Sequence, residues 1–399
     1  VANTTPHQFD VIVIGAGAAG LMCALTAGQR HKKVLLLDHA EQVGSKILIS
    51  GGGRCNFTNL DARPECYLSA NPAFCISALK RYTAQDFITL VSKHNVAFHE
   101  KKLGQLFCDH SAREIVALLV AECEAAHVHI QCHAEVTAIS KTTQFNVQTS
   151  KGDYCCASLV IATGGVSIPK MGATGFAYEI ARQFDVPVTE TRPALVPLTL
   201  SNHHADGTLM QSLSGVSIPA LAQCGKQKFE ENILFTHRGL SGPAILQISS
   251  FWREGQDIQL NLFPQLSLIK VLQQEKVQRP KTSLKTILSG LLPARFAEQW
   301  ARRYADAPVI GQMRDGVLRQ IAEDLHAWRI KPVGTEGYAK AEVTLGGIDT
   351  KALSSQTMMV KSVAGLYFIG EAVDVTGWLG GYNFQWAWSS GWCAGMAVE

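Results

Sequence analysis

The sequence predicts an α/β chain whose Rossmann-like dinucleotide-binding domain is discontinuous, built from both ends of the polypeptide around an inserted β-rich and helical domain. Three observations predict it. A strand, a glycine-rich turn, a helix and a second strand fill about the first forty residues. A strand, an acidic loop, a Gly-Gly turn and a helix close the chain. The stretch between, from about Pro193 to Tyr338, has a different character. A chain of 399 residues, 47% hydrophobic and 17% charged, has enough apolar material for two or three folded domains and is too hydrophobic for disorder.

In order, the opening reads as strand Phe9–Ile14, turn Gly15–Gly20, helix from Leu21 to about Arg30 and strand Lys33–Asp38, a βαβ unit. Gly44 to Asn59 is too glycine-rich to be regular throughout. Helical periodicity follows at Pro72–Lys80, Thr83–His94 and Ser111–His127. Strands are predicted at Val128–Cys132, Ala134–Lys141, Gln144–Thr149 and Tyr154–Ala162. The insertion begins with Pro-punctuated strands at Leu195–Leu200, Ser217–Leu221 and Lys228–Phe235, and turns helical from Ile269 to Trp328. Strand Leu366–Ile369 and a helix from Asn383 return to the first domain. The boundaries expected are 1–192 and 339–399 for the nucleotide-binding domain, 193–268 for the β-rich insert and 269–338 for the helical, basic segment.

Four segments carry chemistry. The first is Gly15-Ala-Gly17-Ala18-Ala19-Gly20, directly after the strand Val11–Ile14. Gly15 permits the tight turn, Gly17 lets main-chain amides approach a pyrophosphate, and Gly20 lets helix and strand pack closely. The helix N-terminus offers N–H groups and partial positive charge to the anion. Asp38, followed by His39, ends the second strand about twenty residues on, where a carboxylate accepts both ribose hydroxyls of an adenosine. The second segment is Ser45-Lys46, then Ser50-Gly51-Gly52-Gly53-Arg54-Cys55-Asn56. Three successive glycines cost entropy to order, which makes sense where the main chain lies flat against a ring or binds an anion through successive amides; a flexible loop is the alternative. Arg54 and Lys46 add cationic partners.

The third segment, Leu159 to Ala162-Thr163-Gly164-Gly165, fits a third strand of the same sheet passing the cofactor on small residues. The fourth runs through Gly370-Glu371 and Asp374 to Gly380-Gly381-Tyr382-Asn383 and Gln385. A strand ending at Gly-Glu with an aspartate soon after suits the ribityl chain and pyrophosphate of a flavin, and a helix opened by Gly-Gly would place its N-terminus at the edge that becomes negative on reduction. For Trp378, Trp386, Trp388 and Trp392, core packing is favoured over stacking on the ring.

Taken together, Ser50 to Asn59, Leu234-Phe-Thr-His237-Arg-Gly-Leu-Ser-Gly-Pro243, Val343 to Ile348 and Gly365 to Gln385 make the sequence resemble the BaiN/YhiN-like family of bacterial FAD-dependent oxidoreductases, within the glutathione-reductase-type FAD fold. The resemblance implies FAD as the resident dinucleotide, a β-barrel-like insertion beside the helical piece, and, for some members, ribosomal-RNA dihydrouridine synthesis. Val136 joins the residues above as an expected cofactor contact.

Cys55, inside the glycine loop, is a candidate proton donor beside the flavin or a buried structural thiol. His237 is a candidate general acid or a hydrogen-bonding histidine of the fold. Thr344 to Gly347 are expected to shape the flavin pocket, and the adjacent Cys155 and Cys156 to pack. Eleven cysteines without a C-x-x-C or zinc spacing, no apolar run of about eighteen residues and no basic leader before Val11–Ile14 point to reduced thiols, no metal site, no membrane and a cytoplasmic location.

Net charge is only +3, yet Lys270 to Lys340 carries thirteen basic against seven acidic side chains. That surplus suits an anionic partner such as RNA, or simply a solvated helical face; if RNA binds there, charge reversal at Arg302 and Arg303 should weaken it. With one dinucleotide fingerprint, NAD(P)H would be a transient electron donor to FAD, and hydride would pass on to an activated C=C bond, a uridine in ribosomal RNA among the candidates. A small-molecule flavin reductase, an oxygen-using amine oxidase and a non-catalytic flavin-binding module are the rivals. The purified protein is expected to be yellow and to release FAD on denaturation; a colourless product that takes up no FAD on reconstitution would overturn the reading.

Overall fold

The computed structural model describes residues 6–201, 205–304 and 309–399. They form two compact units, one of Val1–Arg192 with Val343–Glu399 and the other of Pro193–Glu342.

The first unit is built on a five-stranded parallel sheet in the order Leu366–Phe368, Ser158–Ile161, Val11–Ile14, Val34–Leu37, His129–Gln131. The first four of these are buried along their whole length. Covered on both faces, such strands carry unbroken apolar runs in place of alternation. The first helix, Ala18–Gln29, lies against the terminal helix, Tyr382–Ala397, and glycines set the separation. A Cβ on Gly391 would fall 2.5 Å from the Ala19 carbonyl oxygen, and one on Gly395 2.6 Å from Thr26 Cβ. Arg30 Nη1 then donates to the carbonyls of Gly395 and Val398, 2.9 Å each, tying down the end of the terminal helix.

A four-stranded sheet (His7–Gln8, Gly152–Cys156, Phe145–Thr149, Val136–Lys141) and a three-stranded one (Asn56–Asn59, Gln105–Cys108, Phe98–Glu100) complete the scaffold. Helix Ala84–Lys93 starts at a reciprocal Thr83–Asp86 capping box. Trp386 and Trp388 are core residues; Trp388 stacks on Phe87 at 4.2 Å and donates its indole N–H to the Phe57 carbonyl. Cys155 and Cys156 are buried in their strand, and all the cysteines are free thiols. Among the described residues no His, Cys, Asp and Glu group is arranged to hold a metal ion.

The strand expected over Tyr154–Ala162 is two strands. Gly152–Cys156 pairs antiparallel with Phe145–Thr149, while Ser158–Ile161 runs parallel between Val11–Ile14 and Leu366–Phe368. Exposed Ala157, where the chain changes sheets, breaks an otherwise buried run. No periodicity marks that transfer, because the buried run Tyr154–Cys156 leads almost directly into the buried strand Ser158–Ile161.

The second unit is a seven-stranded antiparallel sheet in the order Trp328–Ile330, Ile258–Asn261, Ser217–Cys224, Gln227–Thr236, Gly239–Ser241, Leu198–Thr199, Gly334–Thr335. Its edge strands are separated in sequence only by residues 331–333. Flat, seven strands would hold their edges about 29 Å apart, whereas the four steps from Ile330 to Gly334 reach at most about 15 Å. The sheet therefore curls toward closure, which is the barrel-like form. Inside it Phe235, Phe296, Trp300 and Trp328 form one aromatic cluster, with Trp300 and Trp328 edge to face at 5.0 Å.

Two expectations here need correction. Only Leu198–Thr199 of Leu195–Leu200 is strand: the Leu195 and Val196 amides donate to Ser250 and Ser249 hydroxyls, and Pro197 has no N–H to give. The helical stretch resolves into Leu268–Gln278, Leu284–Ser289, Ala294–Ala301 and Asp315–His326, and ends before Trp328, which begins an edge strand. Among the described residues no helix is long and apolar enough to cross a membrane.

Glu122 is the acid of the first unit whose stability contribution depends most plainly on pH. Its side chain, 7% exposed, accepts from Lys93 Nζ at 2.6 Å, Gln29 Nε2 at 3.2 Å and pairs with His94 Nε2 at 2.7 Å. Burial pushes its carboxyl up, but the Lys93 and His94 hydrogen bonds outweigh burial and leave it below its ordinary value. A lowered folded-state value stabilises above the unfolded-state value and is lost as pH falls through the folded one. Glu122→Ala should therefore cost about 2 kcal/mol at neutral pH, with the gap to the parent closing in acid, as denaturant melts at several pH values would show.

Candidate functional site

Gly15 is where the first strand must turn sharply. Its φ of +106° is left-handed, its N–H donates to the Leu37 carbonyl at 2.8 Å, and a Cβ there would meet the Ala162 carbonyl oxygen at 2.6 Å. At Gly20 a Cβ would stand 1.8 Å from the Gly15 oxygen, so helix and turn can touch only through glycine. Gly17 differs: a Cβ would find nothing within 4 Å, and its φ of −83° is ordinary. Gly17 is also the N-cap of the first helix, with no side chain capping the first turn. The amides at Ala18, Ala19 and Gly20 thus head a helix whose first turn has no intrahelical acceptor and opens on empty space.

Asp38 stands beside this turn. Its Oδ2 accepts from Ala16 N at 2.6 Å and its Oδ1 from Ala40 N at 2.8 Å, with His39 Nδ1 3.6 Å away. Those amides fix the carboxylate and leave it further lone pairs for a ligand. His39, half-exposed, lies against Gly172, and Val136 is half-buried at the start of its strand.

Glu371 gathers the next group. Its carboxylate accepts from Lys46 Nζ at 3.1 Å, Ser167 Oγ at 2.8 Å and Thr344 N at 3.0 Å, and it follows Gly370, whose N–H donates to Ser390 Oγ. A Cβ at Gly165 would collide with Glu371 Oε1 at 2.8 Å and with Thr344 Oγ1 at 2.4 Å, so the expected small residues after Ala162 are needed here. Thr163 Oγ1 is buried without a hydrogen-bond partner. Ser167 was not anticipated; it lies in an irregular segment with no periodic signal, and its place beside Glu371 comes from contacts more than two hundred residues apart.

The glycine loop is held by main-chain bonds. Gly53 and Cys55 amides both donate to the Ser50 carbonyl, at 2.9 and 3.1 Å, and Gly51, Gly52 and Gly53 are all left-handed. Gly52 and Gly53 face open space, and Arg54 is exposed. Cys55 is fully buried beneath the loop. Burial pushes its thiol far up, Ser50 pulls it down less and Cys108 pushes it further up, so it stays protonated.

The strand that follows is stitched to the Gly380-Gly381 turn. With its amide turned to satisfy its neighbours, Asn56 donates to the Leu106 carbonyl and accepts from Gly381 N at 3.3 Å. Asn59 Nδ2 donates to the Gly380 carbonyl at 2.8 Å. Gln385, fully buried, accepts from Thr58 Oγ1 at 2.6 Å and donates to the Tyr82 carbonyl and Ser389 Oγ, so its amide braces this joint. Asn383 bridges Gly377 N and O, and Tyr382 is buried, its carbonyl accepting from Tyr67 Oη. Asp374 accepts from Ala70 N at 2.9 Å, and burial pushes its carboxyl up. His237 belongs to the second unit, exposed in the turn between Gln227–Thr236 and Gly239–Ser241.

These residues fit a bound FAD. The uncapped helix N-terminus over open space at Gly17 suits a pyrophosphate, and the orphaned Thr163 hydroxyl and the Lys46–Glu371 group are polar partners for a hydroxylated chain.

The model of the HI0933-like protein Rossmann domain matches residues 9–397. The ribosomal RNA dihydrouridine synthase of Escherichia coli (strain K12) is 51% identical over 97% of this chain and 98% of its own length. The enzyme of the same name from Haemophilus influenzae (strain ATCC 51907 / DSM 11121 / KW20 / Rd) is 46% identical over the same shares. Among solved structures, the 3-ketosteroid-delta4-(5alpha)-dehydrogenase of Rhodococcus jostii RHA1 shares the fold, at a TM-score of 0.51 and 13% identity over 99% of this chain and 98% of that one.

The two glycines of the turn predict opposite behaviour. Gly17→Ala should leave the apoprotein's melting temperature unchanged and weaken FAD binding at least tenfold, because the added methyl occupies ligand space only. Gly20→Ala should destabilise the apoprotein itself. Melting curves with and without FAD, and a flavin fluorescence titration, separate the two; equal effects on apoprotein stability would contradict the assignment.

Proposed function

The chain belongs to the HI0933-like Rossmann family and is an FAD-dependent oxidoreductase, and from that premise we propose that its substrate is uridine in ribosomal RNA, reduced to dihydrouridine. The full-length likeness to two dihydrouridine synthases carries this reading. When bound and reduced, FAD would supply a hydride for the C5=C6 bond of uracil, which conjugation to the carbonyl activates, and a proton would complete the addition. The chain's own residues bind and orient. The turn at Gly15–Gly20 would hold the pyrophosphate, Asp38 the adenosine ribose, and Glu371 with Lys46, Ser167 and Thr163 the ribityl chain. The helix opened by Gly381 would offer its N-terminus to the negative charge of a reduced ring.

Cys55 and His237 are the candidates for the proton. Burial pushes the Cys55 thiol far up, so it keeps its proton at neutral pH and is a weak acid there. NAD(P)H is the proposed reductant, visiting the flavin in passing, since the chain carries one dinucleotide fingerprint of this type.

The basic surplus of the second unit supports an RNA partner, but its cations are not equivalent. Arg302 pairs with Glu298 at 2.9 Å, Arg303 lies over the Trp300 ring at 4.3 Å, and Lys276, Arg279 and Lys285 pair with Asp315, Glu275 and Glu298. Lys270, Lys281, Arg329 and Lys331 are exposed, and long-range attraction to phosphate rests better on them. Asp306, counted in the module's charge, lies outside the described residues.

The test is anaerobic. NADPH or NADH is expected to bleach the flavin, and a uridine-bearing ribosomal RNA fragment to reoxidise it with formation of dihydrouridine, scored by mass spectrometry. Cys55→Ala or His237→Gln, whichever removes the proton donor, should slow reoxidation about 10²-fold or more without changing flavin content. Reversing Lys270, Lys281 and Arg329 together should weaken RNA binding and flatten its salt dependence more than reversing Arg302 and Arg303. RNA that leaves the reduced flavin untouched, while small activated alkenes reoxidise it, would overturn the substrate assignment and leave the oxidoreductase standing.

A further inference from the structure

The first unit carries a cleft of mixed polar and apolar lining, outside the turn and the Glu371 group. It has a volume of 490 Å³ and lies between the start of helix Phe74–Arg81 and the segment from Thr350 to Lys361. Three features coincide there. Helix Phe74–Arg81 has Ala73 as its N-cap and no side chain capping its first turn; Asn71, Ala73 and Phe74 line the cleft, so the helix start borders it, with the Phe74 and Ile76 amides donating to the Asn71 and Ala73 carbonyls. Lys351 and Lys361 line it as well, whereas no Asp or Glu does. Thr350, also in the lining, is 1% exposed and its Oγ1 has no hydrogen-bond partner, a state that buried hydroxyls seldom keep.

Local bonds hold the walls in place. Lys361 Nζ donates to the Lys351 carbonyl at 2.8 Å, bringing the two cationic residues to one side. Arg81, at the far end of the helix, donates to the Gln356 carbonyl. The neighbouring acid, Asp349, accepts from Lys351 N at 2.9 Å and forms no part of the lining. Two cations and an idle hydroxyl around a cleft lined by no carboxylate select an oxyanion. Its volume lies within the range of small-ligand sites, far above what a lone phosphate fills.

We propose that this cleft binds the phosphate of a nucleotide, with Lys351, Lys361 and Thr350 around the oxyanion, beside the start of helix Phe74–Arg81. The phosphate belongs either to a free nucleotide or to a nucleotide within an RNA chain, and the site does not depend on which substrate the flavin reduces.

The experiment titrates the FAD-loaded protein calorimetrically, at low salt, with AMP, inorganic phosphate and a short uridine-containing RNA. AMP is expected to bind, inorganic phosphate to compete with it, and Lys351→Glu/Lys361→Glu to weaken AMP at least tenfold with flavin absorbance and melting temperature unchanged. Thr350→Val should weaken AMP several-fold. If the double charge reversal weakens RNA and not AMP, the phosphate is that of the RNA chain; if it weakens AMP alone, that of a free nucleotide. Should the charge reversal prevent folding, Lys351→Gln/Lys361→Gln serves in its place. Unchanged affinity for both AMP and RNA in the folded double variant, or no binding of either by the parent, overturns the proposal.

Discussion

The structure depends on how closely the first and last helices approach. Ala18–Gln29 and Tyr382–Ala397 meet through Gly391 and Gly395, and any side chain at either position would drive into the backbone or side chains of the first helix. That contact brings the two ends of the chain into one domain. It also sets Gly370, whose own Cβ would fall 2.8 Å from Ala19 Cβ, beside the glycine turn, so Glu371 and the opening of the first helix belong to one surface. A larger residue at the helix contact would be felt as a loss of fold and of cofactor site together.

Around that contact the site divides its work by chemistry. The turn at Gly15–Gly20 offers amides and space and no charged side chain, which suits a pyrophosphate that must be held without a permanent countercharge. The Glu371 group is polar and internally paired: a carboxylate receives an ammonium, a hydroxyl and an amide, all placed by different parts of the chain. The glycine loop is a third kind of surface, left-handed main chain with a protonated thiol sealed beneath it. Each is built from residues that would be unremarkable alone.

The second unit shows why charge counted along a sequence is an incomplete guide to a binding face. Its surplus of basic residues is real, yet much of it is already paired with acids on the same helices or laid over an indole ring. Exposed pairs of this kind contribute little to stability, but they lower the local potential that a polyanion would meet. The cations that remain exposed sit elsewhere on the unit, some on its edge strand.

By itself the sequence determined the parallel sheet core, the glycine turn and the helix after it, because close packing and backbone geometry there demand particular residue types at fixed spacings. It also marked Asp38, Lys46 and Glu371 as polar residues at the ends of apolar strands or beside glycines. Tertiary structure alone decided what those residues face. Ser167 reaching Glu371, the Thr163 hydroxyl left without a partner, Gln385 used as an internal brace and the change of sheets at Ala157 all follow from contacts between segments far apart in the chain. Local pattern encodes which face of an element is apolar; it does not encode which distant element will cover it, and a polar side chain acquires its partners only when that covering is complete.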